Sequence, residues 1–261
     1  MSARETVGKT FLVAGVLCVV CSILVSVAAV GLKPIQQKNK ALDKKKNILA
    51  AAGLLKDGSD IEAVFAEKIR VKAVDLSTGQ YAEIDADAYD QRKAAKDPAS
   101  ANEIPSKKDI ARIKRFAKIA SVYEVVDANG GLEQIILPMH GKGLWSTMYG
   151  FMAIKSDLKT IVGLGFYEHA ETPGLGGEID NPKWKGLWPG KKLYDDSGKL
   201  AIKVLKGLGD PNSANAIHEI DGLSGATLTT NGVDALVRFW LGADGFEKYL
   251  LNLKQKGNAN G

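Results

Sequence analysis

At 261 residues, with 45% hydrophobic and 25% charged content, the chain has the composition of a globular protein of one or two domains. Its 2 cysteines exclude a disulfide-stapled scaffold. Its net charge of +5 comes from lysines without interleaved aromatic residues, which excludes a nucleic-acid-binding surface.

Phe11 to Val30 is a run of twenty residues without a charge. As a helix rising 1.5 Å per residue it reaches roughly 30 Å, the hydrocarbon thickness of a bilayer. Arg4, Lys9 and the small residues Ser26-Val27-Ala28 would also suit a cleaved signal peptide. The run exceeds the roughly 7–15 apolar residues of such a peptide's core, so residues 1–32 read as a retained, single-span membrane anchor. Cys18 and Cys21 both fall inside it, which leaves no disulfide for the soluble part. At i, i+3 on a membrane helix they read as small packing residues rather than as a metal or thiol-redox pair. Lys33, Lys38, Lys40, Lys44, Lys45 and Lys46 follow the span, against Arg4 and Lys9 before it. By the positive-inside count alone, the large domain would be cytoplasmic.

Residues 33–67 read as a helical stalk: Leu42, Ile48, Leu49, Leu54 and Leu55 are spaced as on a helix ending near Gly53 or Gly58, and a second helix is expected over Asp60 to Glu67. Lys68 to Leu76 alternates as a strand, with Ser77-Thr78-Gly79-Gln80 as its turn. Asp85 to Lys108 is polar, with Pro98 and Pro105, and reads as surface loop or short helices. Two hairpins follow. Ala120 to Val126 and Leu132 to Leu137 flank an Asn129-Gly130 turn, and Tyr149 to Lys155 and Thr160 to Glu168 flank Ser156 to Lys159. Asp195-Asp196-Ser197-Gly198 introduces another expected strand, Lys199 to Lys206. With helices confined mostly to both ends, residues 68–256 form an α+β domain with a largely antiparallel sheet, and 257–261 a frayed tail.

The most informative stretch lies near the end. Ile217 to Ile220 alternates as a short strand, and Val233, Leu236, Val237, Trp240 and Leu241 recur at helical spacing. Asp221-Gly222-Leu223-Ser224-Gly225-Ala226-Thr227 therefore sits in a strand-to-helix connection. The first N–H groups of a helix lack internal partners and carry partial positive charge, so an anion beside Thr229, Thr230 or Asn231 would be stabilised. Gly225 and Ala226 leave the Thr227 hydroxyl open to a modifying enzyme. The plainer alternative is that these Ser, Thr and Asn residues serve only as turn and N-cap residues.

The stretch resembles a flavinylation motif, D-x-x-[ST]-G-A-T, whose last Thr carries FMN through a phosphoester. With the anchor, Asn47-Ile48-Leu49-Ala50, Glu171-Thr172-Pro173-Gly174-Leu175-Gly176 and Ser224-Gly225-Ala226-Thr227 in this order, the whole chain resembles the C subunits of sodium-translocating NADH:ubiquinone reductases. The G subunit of Rnf electron-transport complexes shares the last two segments and is the nearest alternative. The length and the stalk favour the reductase family.

The resemblance implies a single-pass protein of the bacterial inner membrane with its large domain periplasmic, opposite to the charge count. It also implies FMN esterified to Thr227, one-electron relay among the other subunits of a membrane pump, and a separate flavin transferase for maturation. That transferase would recognise Asp221, Ser224, Gly225, Ala226 and Thr227. Thr172, Gly174, Leu175 and Gly176 are expected to contact the flavin, since Pro173 fixes one φ and the glycines allow close backbone approach to a flat ring. Glu171, Trp145 and Ser146 are further candidate contacts. Trp184 and Trp188, beside Pro182 and Pro189, read as the core of a small lobe.

His140, His169 and His218 are scattered, and no H-E-x-x-H, G-x-S-x-G or phosphate-binding G-x-x-x-x-G-K pattern occurs. Side-chain catalysis and a protein-bound metal are therefore not expected. A rival from another class is a non-redox, membrane-anchored extracytoplasmic binding module in which Ser-Gly-Ala-Thr is accidental.

Overall fold

The computed structural model describes residues 6–259, in two units divided between Lys44 and Lys45. Arg4, which entered the charge count, lies outside the described residues. The first unit is the N-terminal portion of one 45-residue helix, α1 (Val7–Ala51), whose apolar side chains from Phe11 to Val30 are exposed along its length. It is long and apolar enough to cross a membrane. The expected anchor and the first expected stalk helix are thus one continuous helix, which carries Pro34 in its interior.

The second unit begins in the last turns of α1. Three backbone bonds close the helix end: Ala52 N–H donates to Ile48 O, Gly53 N–H to Ala50 O, and Leu54 N–H to Leu49 O. Gly53 has φ +68°, so the end is a Schellman cap, with Leu49 and Leu54 supplying its apolar contact. Helix α2 (Ile61–Lys68) follows, N-capped by Asp60 Oδ1, which accepts from the Glu62 and Ala63 N–H groups.

A six-stranded antiparallel sheet in the order β2-β1-β5-β6-β7-β8 forms the frame. Its strands are β1 (Ile69–Asp75), β2 (Gln80–Tyr81), β5 (Ile119–Val126), β6 (Leu132–Lys142), β7 (Thr147–Lys155) and β8 (Ile161–Glu168). Between β2 and β5 lie helix α3 (Gln91–Ala94) and the two-stranded pair β3 (Ala101–Glu103) and β4 (Arg115–Ala117). After β8 come α4 (Pro182–Lys185), β9 (Lys203–Val204), β10 (Glu219–Ile220), α5 (Thr227–Trp240) and α6 (Glu247–Ala259).

Successive strand residues point to opposite faces, and here both faces are covered. On one, Val122, Ile135, Leu137, Met148, Met152 and Ile154 pack with Val233, Leu236, Val237 and Trp240 of α5. On the other, Tyr123, Val125, Ile136, Phe151 and Ala153 pack with Ile48, Leu49, Ala51 and Ala52 of α1. Double coverage explains why these strands read as nearly continuous apolar runs rather than as strict alternation. It also places the last turns of α1 and all of α2, read as a stalk, on the sheet. Gly163 permits that approach, since a Cβ there would lie 2.6 Å from Ala51 O.

The expected strands need three corrections. Lys199 to Lys206 is strand only at Lys203–Val204, because its partner is β10 in a parallel pair and not an adjacent hairpin strand. Ile217-His218 belongs to a 3-10 turn (Ala216–His218), leaving Glu219–Ile220 as the strand. Strand β6 continues five residues past Leu137 through Pro138, where β5 no longer pairs and β7 is its neighbour, so the missing N–H is accommodated on the vacant side.

Trp184 and Trp188 pack edge-to-face, 5.6 Å apart, within the main core rather than a separate lobe. Of the expected tail, residues 257–259 continue α6, and the last two lie outside the described residues.

Candidate functional site

Three segments converge at the start of α5: the loop after β6 (143–146), the turn 171–177, and the stretch Asp221 to Thr230. Thr227 is the first residue of α5, and its N-cap, Ala226, offers no side-chain hydrogen bond to the helix end. Gly225 adopts φ +70°, in a left-handed conformation that costs glycine little, and turns the chain into the helix. The first intrahelical bond runs from Thr230 N–H to Ala226 O, 3.0 Å. The N–H groups of the first turn therefore face an end that no side chain closes.

The three threonines of this turn are not equivalent. Thr227 is exposed, together with Ser224, Gly225 and Leu228. Thr229 and Thr230 are buried: the Thr229 hydroxyl donates to Glu171 Oε2 at 2.5 Å, and Thr230 Oγ1 accepts from Leu223 N–H at 3.1 Å. The sequence placed an anion beside Thr229, Thr230 or Asn231 through the free N–H groups of the helix end; the Thr229 and Thr230 hydroxyls themselves are turned inward and brace the loop.

Asp221 anchors the start of the motif. Its Oδ1 accepts from Gly209 N–H at 2.8 Å and its carbonyl from Trp184 Nε1 at 2.9 Å, while Gly222 N–H donates to Gly207 O at 2.8 Å.

Glu171 sits at the junction. It is 4% exposed. Oε1 accepts from the N–H groups of Trp145 at 3.0 Å and Ser146 at 3.3 Å, and Oε2 from Leu144 N–H at 3.1 Å and the Thr229 hydroxyl. Burial alone would raise its pKa, but the hydrogen bonds from Thr229 and from the backbone of Trp145, Leu144 and Ser146 prevail, holding the carboxyl below its ordinary value. Two glycines make room for it. A Cβ on Gly143 would lie 2.5 Å from Glu171 Oε1, and one on Gly176 would lie 2.4 Å from Thr229 Oγ1.

Around this junction the other expected residues take distinct places. Trp145 is 65% exposed and its Nε1 donates to Thr172 Oγ1 at 3.0 Å. Ser146 Oγ accepts from Ala170 N–H at 2.7 Å. Gly174 has φ +76°, and Thr172 O accepts from Leu175 and Gly177 N–H, which curls the turn so that the half-exposed Leu175 side chain lies beside Gly225. A Cβ on Gly225 would come within 3.2 Å of Leu175 Cδ2. His169 is bound, not free: Nδ1 accepts from Glu171 N–H, and Nε2 lies 2.7 Å from Asp180 Oδ2.

Sequence reasoning missed Leu144 and Leu228, whose exposed side chains border Trp145 and Thr227 in the chain, and Gly143 and Thr229 as partners of Glu171. A glycine or threonine beside a motif carries no signal of a contact made across the fold.

This arrangement suits a flavin mononucleotide. Thr227 is exposed at the uncapped end of the helix, a setting that favours a phosphate. Exposed Leu175, Leu228 and Trp145 offer the apolar surface that an isoalloxazine ring requires.

Comparison with known proteins agrees. Residues 143–242 match the FMN-binding domain family. The chain is 52% identical over 263 residues to the C subunit of the Na(+)-translocating NADH-quinone reductase of Pseudomonas aeruginosa, covering 99% of this chain and 100% of that one. It is 44% identical to the protein of the same name from Yersinia pestis, over 99% of this chain and 97% of that one. Among solved structures, Shewanella oneidensis NqrC superposes with a TM-score of 0.75 at 38% identity, covering 83% of this chain and 99% of that chain. The C subunit of the Parabacteroides distasonis reductase superposes with a TM-score of 0.64 at 29% identity, covering 84% and 96%. The chain thus belongs to the family of C subunits of the Na(+)-translocating NADH-quinone reductase.

Proposed function

We propose that the Thr227 hydroxyl carries FMN as a phosphoester, and that the protein relays single electrons between other redox subunits of its complex on the periplasmic side of the bacterial inner membrane. The observation that carries this reading is the selective exposure of Thr227. Of the three hydroxyls in the first turn of α5, it alone is open, while those of Thr229 and Thr230 are buried and engaged. Bound there, FMN supplies the uptake and release of electrons.

The chain's own residues position and surround it. The first-turn N–H groups and the helix dipole hold the phosphate. The exposed side chains of Leu175, Trp145 and Leu228 offer the ring apolar surface, and Thr172 orients Trp145 by accepting from its indole. Gly174 and Gly176 shape the turn, while Ser146 and Glu171 secure the loop that bears Trp145. Asp221, fixed by Gly209 N–H, holds Ser224, Gly225 and Thr227 in an exposed, preformed loop that a flavin transferase can recognise on the folded chain.

Fluorescence under ultraviolet light of the denatured band in a gel tests the attachment, because only a covalent flavin survives denaturation. The wild type from its own host should fluoresce and Thr227→Ala should be dark, whereas Thr230→Ala keeps the acceptor and should fluoresce. A bright Thr227→Ala band would refute the assignment.

A further inference from the structure

Glu171 is the one carboxylate or basic side chain among the buried polar residues described. All four of its hydrogen-bond donors are neutral: three backbone N–H groups and the Thr229 hydroxyl. The bonds stabilise the charge without cancelling it. The neighbouring cation, Lys142, directs Nζ to Trp145 O at 3.1 Å and not to the carboxylate. His169 accepts at Nδ1 from Glu171 N–H and turns Nε2 to the exposed carboxylate of Asp180.

An amide in place of the carboxylate would keep an oxygen toward Trp145 and Ser146 and could donate to Thr229. It would leave only Leu144 N–H without an acceptor. A neutral group could thus tether the loop at the loss of one bond, while the four bonds to the carboxylate offset the cost of burying it and leave its charge in place. The charge itself calls for a role.

We propose that Glu171 is a positioning residue whose uncompensated negative charge, fixed under the first turn of α5, lowers the electron affinity of the flavin bound at Thr227. Its link to that flavin is short. Oε2 is bonded to Thr229, two residues beyond Thr227 in the same turn, and Oε1 and Oε2 together hold the loop that presents Trp145. Electron uptake adds negative charge to the ring, and a nearby anion in a partly desolvated setting opposes it. The inference rests on the reading that FMN is carried at Thr227.

The test uses the full-length protein matured in its own host with its transferase. Intact mass first counts flavin per chain. A spectroscopic redox titration at neutral pH, with dithionite supplying two electrons per flavin, then reads the ratio of oxidised to reduced flavin at a fixed ambient potential. Glu171→Gln should move that ratio toward the reduced form by about two- to twentyfold, the range for one unit charge near a partly solvated site. Thr229→Val, which removes a donor and leaves the anion less shielded, should move it toward the oxidised form. Simple loosening of the loop would move both variants the same way, so shifts of like sign, or a fully flavinylated Glu171→Gln with an unchanged ratio, would overturn the proposal. If Glu171→Gln does not mature, Thr229→Val decides: a shift toward the oxidised form supports the charge, and no shift or the opposite one overturns it. A wild type without flavin would instead overturn the attachment at Thr227, and the inference with it.

Discussion

Thr227, Thr229 and Thr230 share one helical turn, but only the first hydroxyl is left to chemistry, because the other two close hydrogen bonds inside the fold. Glu171 is the reason one of them is closed. Its folded pKa lies below the ordinary glutamate value, so it adds stability that is fully present above that value and is lost as pH falls through the folded pKa. The unfolding midpoint of the wild type should therefore exceed that of Glu171→Gln at neutral pH, and the gap should narrow as pH falls below about 4, near the unperturbed glutamate pKa. A gap that widens with acid would contradict the hydrogen-bonded carboxylate. Gly176→Ala is a steric probe of the same junction. Its Cβ would meet Thr229 Oγ1 at 2.4 Å, and chemical denaturation should show a loss of about 1–3 kcal/mol, as for overpacked sites. The motif at Thr227 was legible because its residues are contiguous. The Glu171 junction was not, because it joins positions 25 to 58 residues apart, for which no local pattern exists.

At the level of elements, α5 joins the site to the core. Its inner face, Val233, Leu236, Val237 and Trp240, is fully buried, so the end bearing Thr227 is held by a rigid body. Close packing depends on Gly232, where a Cβ would lie 2.5 Å from Lys142 O. On the opposite face of the sheet, the Schellman cap at Gly53 ends α1 where Ala51 meets Gly163. Gly53→Ala forces a side chain into φ +68° and should cost about 1 kcal/mol in thermal or denaturant unfolding. An unchanged midpoint would mean that this helix end does not contribute to stability. The long strands and helix α5 could be read from periodicity, since each buries a regular pattern. The stretch 199–206 could not, because its apolar residues Ile202 and Val204 enter the core from irregular chain and from a two-residue parallel bridge. Alternation alone does not distinguish that from a strand.

For the molecule as a whole, the described residues form one long apolar helix and one FMN-binding α+β domain, in keeping with its membership of the reductase C subunits. An FMN-binding domain and membership of the reductase C subunits set aside the reading of a non-redox binding module. Both the long apolar helix and the cofactor class were legible in the sequence, one from an uncharged run and the other from a motif. Orientation was not, because the lysines after the span contradict the family expectation. Alkaline phosphatase fused to the C-terminus should be active if the domain is periplasmic, and inactive in the cytoplasmic arrangement that the charge count favours.

The most direct measurement for the central claim is mass mapping of peptides from the protein purified from its own host. It should place an adduct of FMN less one water on Thr227. An unmodified Thr227 peptide, or the adduct on Ser224, Thr229 or Thr230, would contradict the account.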